Sequence, residues 1–202
     1  MLGILALALQ FCAKKGHSPQ TSNVHRSVFR DDFRDNSKIW YQKNNDSVYV
    51  NINSDSLFFT NKTIYPSYCI AQSVLIDEEK NFSIKASIKF KEGIENFGYG
   101  ITWGRKNWDN FYSFLISKNG TVRVVYVING YFTPIQDWVY SGYVNSKINE
   151  IEVRKEGSQY LFRINGNTLV KKPYQPLLGN DIGFHIDNNL SISVDYVDVT
   201  QW

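Results

Sequence analysis

The most constraining feature of this sequence is a strict alternation of apolar and polar residues in several short segments. In "NFSIKASIKF", residues 81–90, every second residue from Phe82 to Phe90 is apolar and the residues between them are serine or lysine. Successive side chains of a β-strand point to opposite faces, so this pattern predicts a strand with one buried and one solvated face. No α-helical periodicity persists along the chain. The same alternation recurs at residues 48–52, 148–153, 160–164, 182–186 and 190–196.

Turn sequences separate these predicted strands. Asn129-Gly130 and Asn165-Gly166 give the strongest signal, because Asn-Gly tolerates the positive φ angles of tight hairpin turns. Near the C-terminus the alternation slips a phase at Tyr196, which predicts a bulge there. With 202 residues, of which 43% are hydrophobic, the chain can bury one core. The sequence therefore predicts an all-β fold, a two-sheet antiparallel β-sandwich or jelly roll, over residues 28–202.

The N-terminus carries an apolar run, "LGILALALQF" at residues 2–11, that ends at Cys12. The run is too short to span a bilayer and long enough for the apolar part of a signal peptide. A cysteine at its end resembles the lipobox of bacterial lipoproteins, in which the thiol is acylated. We therefore interpret residues 1–12 as a signal or lipoprotein-type segment with Cys12 as the lipidation site, and residues 13–27 as a polar linker. The expected location is the cell envelope, with simple secretion or a local hydrophobic segment as alternatives.

The distribution of charged and titratable residues argues against nucleic-acid binding, a zinc site and a catalytic triad. The net charge of +3 comes from 22 basic and 19 acidic residues scattered along the chain, so nucleic acid is not an expected partner. His17, His25 and His185 are too dispersed to predict a zinc site or a catalytic triad, and His185 has the pattern of a hydrogen-bonded sheet histidine. Asp77-Glu78-Glu79 favours a solvated acidic turn over a calcium site. No cofactor is expected, and calcium is the one alternative.

Cys69 lies in the apolar, strand-like segment "SYCIAQSVLI" at residues 67–76. This context favours a buried free thiol over a reactive one. A disulfide between Cys12 and Cys69 is the alternative for an exported chain without a lipid.

The segment "YGITWGRKNWDNFYSFLISKNG", residues 99–120, holds the candidate binding residues. Alternation places Tyr99, Ile101 and Trp103 on one face of a strand. The polar turn that follows has Trp108 at its centre, and strand patterning does not explain a tryptophan there. Sugars stack their C–H faces on aromatic rings while planar polar groups bond their hydroxyls, which predicts a ligand site here. The alternative is that Trp108 caps the end of the sandwich. The candidate ligand-binding residues are Trp103, Arg105, Asn107, Trp108, Asp109, Tyr112, Tyr126 and Trp138.

Residues 111–117 and 122–127 are apolar on both faces, which indicates central strands covered on both sides. Because a sandwich has one core, their second face is either covered by other parts of the chain or forms an aromatic-lined groove. Structural cover is the favoured interpretation.

Five segments, in this order, resemble concanavalin A-like lectin/glucanase domains. They are "FRDDFRDNSKIWYQ", "NFSIKASIKF", "FGYGITWGRKNWDNFYSFLISKNGTVRVVYVINGYFTPIQDW", "INEIEVRKEGSQYLFRINGNTLV" and "DIGFHIDNNLSISVDYVDV". Within that superfamily the chain looks most similar to non-catalytic laminin-G-like and sugar-hydrolase-like modules of bacterial exported proteins. The resemblance implies two curved antiparallel sheets, a first strand near Phe29 that pairs close to the last strand at 191–201, and carbohydrate binding on the concave sheet or at edge loops.

Some branches of that superfamily hydrolyse glycosidic bonds with two carboxylates on one strand. The nearest candidate here is "EIEVRKE", with Glu150, Glu152 and Glu156, whose third carboxylate comes too late in the sequence. Ile151 and Val153 supply the apolar face, so these glutamates are expected on the solvated face. The favoured function is a non-catalytic glycan-binding module, with a protein-interaction or scaffold domain as the alternative and a glycoside hydrolase as the less favoured one. The expected partner is accordingly a glycan or a cell-surface protein, with membrane contact only through the lipid.

Overall fold

The computed structural model describes residues 24–65 and 67–202. Cys12, the apolar run and most of the linker lie outside the described residues, so the predictions for the N-terminus stay predictions. The strands are β1 (Arg26–Asp31), β2 (Lys43–Asn44), β3 (Val48–Asn53), β4 (Ser56–Asn61), β5 (Tyr68–Ser73), β6 (Phe82–Gly93), β7 (Tyr99–Asn107), β8 (Asn110–Ile116), β9 (Thr121–Ile128), β10 (Tyr131–Tyr140), β11 (Ile148–Glu156), β12 (Gln159–Ile164), β13 (Asn167–Pro173), β14 (Asp181–Ile186) and β15 (Leu190–Gln201).

These strands form two antiparallel sheets. The six-stranded sheet has the order β10-β9-β8-β7-β14-β5. The nine-stranded sheet has the order β13-β12-β11-β6-β15-β4-β3-β2, and β1 also pairs with β15. The predicted all-β, two-sheet sandwich is confirmed. Among the described residues, no helix is long and apolar enough to cross a bilayer.

Strands β6 and β15 form the centre of the nine-stranded sheet and follow the alternation closely. Phe82, Ile84 and Ile88 are fully buried on the face that looks into the sandwich. The N-terminal half of β15 pairs with β4, and its C-terminal half pairs with β1, so the expected pairing of first and last strands is confirmed. Along β6, Val194 pairs with Ile88 and Tyr196 with Ser87, which leaves one extra residue on β15. This is the bulge predicted at Tyr196.

Two Asn-Gly turns close hairpins as predicted. Asn129 and Gly130, between β9 and β10, have φ angles of 52° and 78°. Asn165 and Gly166, between β12 and β13, have φ angles of 50° and 79°. Positive φ at both central residues is the requirement of the type I′ turn, and its twist matches that of the flanking strands.

An aromatic cluster fills the core between the sheets. The ring of Trp103 stacks on that of Tyr112 with 5.3 Å between centroids and meets Tyr160 edge-on at 5.8 Å. Trp103 Nε1 donates a hydrogen bond to the Tyr160 hydroxyl at 3.3 Å, and Phe162 packs beside them. An indole N–H that is fully buried needs such a partner, so Trp103 is a structural residue of the core.

The glutamates of "EIEVRKE" lie on the outer face of the nine-stranded sheet, but the expectation that all of them are solvated is wrong for Glu152. That residue is only 4% exposed. Its carboxylate accepts a hydrogen bond from Ser83 Oγ at 2.7 Å and pairs with Arg163 on β12 at 2.9 Å. Glu150 pairs with Lys85 Nζ at 3.1 Å and accepts a hydrogen bond from the Tyr196 hydroxyl. Cross-strand cations therefore hold these carboxylates on the outer face.

Glu150 gives the first testable prediction. Burial alone raises its pKa, but the hydrogen bonds from Tyr196 and Lys85 outweigh burial and hold the pKa below its ordinary value. The contribution to stability is therefore present above the ordinary glutamate pKa of about 4.3 and is lost as pH falls through the folded pKa. We expect the free energy of unfolding, measured by urea denaturation from about pH 5 downwards, to fall less steeply for Glu150→Gln than for the wild type. Tyr196→Phe should reduce the slope by a smaller amount, and an unchanged slope in both variants would contradict this account.

Candidate functional site

The turn after Trp103 departs from regular strand geometry. Trp103 pairs with Tyr112 and Asn107 with Asn110, so three residues of β7 lie opposite a single residue of β8. Gly104 has a φ of 57°, a left-handed conformation that glycine adopts without strain. This bulge takes the next residues out of the alternation that places Trp103 in the core, and it redirects them to the other side of the sheet.

Asn107 organises the tip of this turn. Its side-chain Oδ1 accepts hydrogen bonds from the backbone N–H of Asp109 and from the side-chain amide of Asn110, both at 3.0 Å. Such an Asx turn fixes the backbone locally without core contacts. Trp108 lies at the tip, is 55% exposed and is not part of the buried core cluster.

Trp108 forms one wall of a cleft of about 300 Å³, which we call the Trp108 cleft. Arg105 lies over the indole, with its guanidinium carbon 4.7 Å from the ring centroid. The Tyr68 ring meets the indole edge-on at 6.3 Å. These two contacts hold the exposed ring in one orientation. The cleft is lined by Tyr41, Val48, Tyr68, Cys69, Ile70, Ala71, Arg105 and Trp108.

Arg105 is itself held in place from the neighbouring strand. Its Nη1 donates to Asp181 Oδ2 at 3.1 Å, and the two residues are register partners of β7 and β14. The Nε of Arg105 is buried and has no hydrogen-bond partner within the described part of the chain. A buried donor without a partner costs free energy unless a ligand or water accepts from it.

The cleft continues into a row of residues that crosses the outer face of the six-stranded sheet. Cys69 pairs with His185, His185 with Gly100, Gly100 with Leu115, and Leu115 with Arg123. Directly opposed residues of paired strands point to the same face. We call this row, Cys69-His185-Gly100-Leu115-Arg123, the outer row.

His185 supplies the polar centre of the outer row. Its Nδ1 is 2.9 Å from Ser113 Oγ, which confirms the predicted hydrogen-bonded sheet histidine, and Phe111 packs edge-on against its ring at 5.8 Å. Burial lowers the pKa of His185, although Asp187 acts in the opposite direction. Its Nε2 is buried, lies 3.9 Å from Asp187 Oδ1, and makes no hydrogen bond to any described residue.

The far end of the outer row repeats the arrangement at the Trp108 cleft. Arg123 lies near the face of Trp138, at 5.9 Å from the ring centroid, and its Nε is 3.3 Å from Asp137 Oδ1. Trp138 packs over Gly98, where an added Cβ would lie 2.9 Å from its ring. Each end of the row therefore carries an arginine beside a tryptophan and an aspartate.

The structure separates the eight candidate residues. Trp103 and Tyr112 are buried in the core, and the Tyr112 hydroxyl donates to the Pro176 carbonyl at 3.0 Å. Tyr126 is half-buried and packs against the core. The eight candidate residues therefore do not form one exposed set of side chains. Arg105, Asn107, Trp108 and Asp109 share one turn, and Trp138 lies at the other end of the face.

Two further predictions can be compared with the structure. Among the residues that the structure describes, no group of His, Cys, Asp and Glu side chains is arranged to hold a metal ion. In the acidic turn, Asp77 pairs with Lys80 at 3.1 Å, and Glu78 accepts from the Tyr174 hydroxyl and the Leu177 N–H. Within residues 24–65 and 67–202, Cys69 is a free, buried thiol, as its sequence context indicates, and a disulfide with Cys12 stays an alternative because Cys12 lies outside them. Burial raises its pKa to about 12, so the thiol stays protonated at neutral pH.

Comparison with known proteins supports the fold and nothing finer. No protein-family model matches the sequence, and no curated protein matches it. The CBM2 module of the evolved Dit protein of Lactobacillus casei BL23 phage J-1 superposes with a TM-score of 0.61 at 8% identity, over 89% of this chain and 97% of that one. A Bacillus licheniformis β-glucanase gives a TM-score of 0.61 at 13% identity, over 89% and 99% of the two chains. The chain has the same jelly-roll β-sandwich fold.

A third solved structure shows the same fold as part of a larger protein. The GH43 protein BlXynB of Bacillus licheniformis superposes with a TM-score of 0.61 at 11% identity, over 86% of this chain. The match covers only 39% of that protein, so the chain corresponds to a minor part of it. Identities this low establish the shared jelly-roll architecture and leave function to the residues of the site.

The two tryptophans of the segment at residues 99–120 give the second prediction. Trp103→Ala should lower the free energy of unfolding by about 3–5 kcal/mol, because it leaves a cavity in the core. Trp108→Ala should lower it by less than about 1 kcal/mol, because only the contacts with Arg105 and Tyr68 are lost. Urea denaturation of both variants measures the difference. Equal losses would contradict the assignment of Trp103 to the core and Trp108 to the cleft.

Proposed function

We propose that this chain is a non-catalytic carbohydrate-binding domain whose ligand stacks on Trp108. The observation that carries the proposal is the exposed indole in the Trp108 cleft, which Arg105 and Tyr68 hold in place. The Nε of the same Arg105 is buried and has no hydrogen-bond partner among the described residues. An aromatic ring offers its face to the C–H groups of a sugar, and the unpartnered donor offers a hydrogen bond to a sugar oxygen. Trp108 and Arg105 both line this cleft.

The outer row supplies further groups of the same kind. His185 Nε2 is also buried without a hydrogen-bond partner among the described residues. Arg123 adds a guanidinium that pairs with Asp137 through Nε at 3.3 Å. A ligand that extended from the Trp108 cleft along this face would pass His185 and then reach Arg123 and the indole of Trp138. The solved structures with this fold include proteins whose names describe them as a CBM2 module and a β-glucanase. These names agree with a carbohydrate ligand, while the proposal depends on the residues.

A glycan-binding experiment tests the proposal. The folded full chain is applied to a glycan array together with Trp108→Ala and the control Tyr131→Ala, which removes an exposed ring on β10 that does not line the Trp108 cleft. We expect the wild type and Tyr131→Ala to bind the same glycans and Trp108→Ala to bind roughly tenfold more weakly or worse, as for a central aromatic contact. No glycan bound by the folded wild type, or equal binding by all three proteins, would contradict the proposal.

A protein-interaction role is the second candidate, and one observation favours it. Strand β10 is an edge of the six-stranded sheet and exposes the aromatic side chains of Tyr131, Phe132 and Tyr140. An exposed edge with large apolar residues is a known surface for pairing with another chain. The Tyr131→Ala variant in the array experiment leaves glycan binding intact if the edge has a separate role.

The glutamates of β11 do not support the glycoside-hydrolase alternative, because Glu150 and Glu152 are held in ion pairs.

We also propose that the domain is exported and anchored through a lipid on Cys12. The support is the apolar run that ends at Cys12 and the polar residues 13–27 that follow it. Expression of the full chain in a bacterial host with a radiolabelled fatty acid should label the wild type and leave Cys12→Ser unlabelled. Lys14→Met, which keeps the cysteine, should be labelled like the wild type. Absence of label on the wild type would contradict the anchor and favour secretion without a lipid.

A further inference from the structure

A second cleft, of about 380 Å³, opens at the side of the sandwich, away from the Trp108 cleft. There the edge strand β13 of the nine-stranded sheet approaches strands β8, β9 and β10 of the other sheet. We call it the Lys172 cleft. Its lining residues are Tyr112, Tyr126, Ile128, Ile135, Lys172 and Pro173, with Gln175 at the rim.

The walls of the Lys172 cleft are apolar. Ile128 and Ile135 contribute hydrocarbon from β9 and β10, and Pro173 contributes it from β13. The Tyr112 hydroxyl already donates to the Pro176 carbonyl at 3.0 Å, so this residue presents its ring to the cleft. A volume of this size lies in the range of small-molecule sites. The cleft therefore suits a hydrocarbon chain or ring.

Lys172 brings a positive charge to this apolar space. It pairs with Tyr160 across β12 and β13, and Val170, two residues earlier on β13, pairs with Phe162. Tyr160 and Phe162 are core residues, so Lys172 lies on the inward face of the edge strand. Lys171 pairs with Leu161 and lies on the opposite, outward face.

No negative charge in the described part of the chain balances Lys172. Its half-buried side chain makes no ion pair or hydrogen bond to residues 24–65 or 67–202. The lining of the cleft contains no acidic residue among those described. Burial raises the pKa of Tyr112, and Glu78 is near enough for its charge to raise that pKa as well. The Glu78 carboxylate already accepts hydrogen bonds from the Tyr174 hydroxyl and the Leu177 N–H. Because the ammonium of Lys172 is not among the buried unpartnered groups, it is open to a ligand, and an anionic head group could pair with it while an apolar part enters the cleft.

We propose that the Lys172 cleft binds a carboxylate with a short hydrocarbon tail. The carboxylate pairs with Lys172 Nζ, and the tail lies against Ile128, Ile135 and the tyrosine rings. Such a site joins a charge-assisted hydrogen bond to apolar burial, and each part contributes to affinity. This site is separate from the Trp108 cleft and does not depend on the proposed glycan function.

Octanoate and 1-octanol are the probes, because they share a tail and differ in the charge of the head group. Isothermal titration calorimetry on the full chain compares the wild type with Lys172→Met, which keeps the length of the side chain and removes its charge. Lys171→Met is the matched control on the outward face. We expect octanoate to bind the wild type and Lys171→Met alike, and to bind Lys172→Met about tenfold more weakly. Octanol should bind the wild type about as weakly as octanoate binds Lys172→Met.

An inward-pointing lysine at a sheet edge also discourages pairing with other sheets, and that role needs no ligand. Three results would assign Lys172 to that role alone and overturn the proposal: no octanoate binding by the wild type, equal octanoate binding by Lys172→Met, or equal affinity of the wild type for octanoate and octanol. The comparison of octanoate with octanol uses only the wild type, so it remains valid even if a substitution disturbs folding. Circular dichroism checks that each variant is folded. Trp108→Ala should bind octanoate like the wild type, which separates this site from the glycan proposal.

Discussion

The register of the six-stranded sheet is the constraint on which the rest of the structure depends. Strands β7, β8 and β14 each place alternate large apolar residues, among them Ile101, Phe114 and Phe184, in the core. A shift of one residue in any of these strands would exchange its two faces and expose that set. The packing of the core therefore also determines which residues reach the outer face, and the outer row of His185 and Arg123 is the result.

The bulge at residues 104–106 is where β7 leaves this register, and it separates structure from recognition within one short segment. Before the bulge, Trp103 completes an aromatic core cluster. Within the bulge, Arg105 comes to the outer face, pairs with Asp181 and lies over Trp108. Regular alternation through this segment would continue the strand and provide no turn at this position.

The sequence predicts the fold well because period-two alternation and Asn-Gly turns are local signals. The bulge at Tyr196 was predictable for the same reason, since a phase slip is visible along one strand. The site was predictable only in part. Trp108 could be identified because strand patterning does not explain it, but Tyr112 could not be assigned to the core without knowing which face of β8 is covered. Glu152 and the outer row depend on strands that are distant in sequence, and the inward direction of Lys172 follows only from its pairing with Tyr160.

The Asx turn at Asn107 has a consequence for how this surface changes over evolutionary time. The turn closes on itself through the Asn107 side chain, and Trp108 at its tip is largely exposed. Gly100 and Gly183, within the strands, each have a neighbouring carbonyl oxygen 2.0 Å from the position of an added Cβ, so these strands tolerate no larger residue there. Variation is thus directed away from the sheet and towards the turn. A lineage that diversified this domain could alter the side chains at positions 108 and 109, keep Asn107 and Asn110, and acquire new binding partners while the sandwich beneath stayed the same.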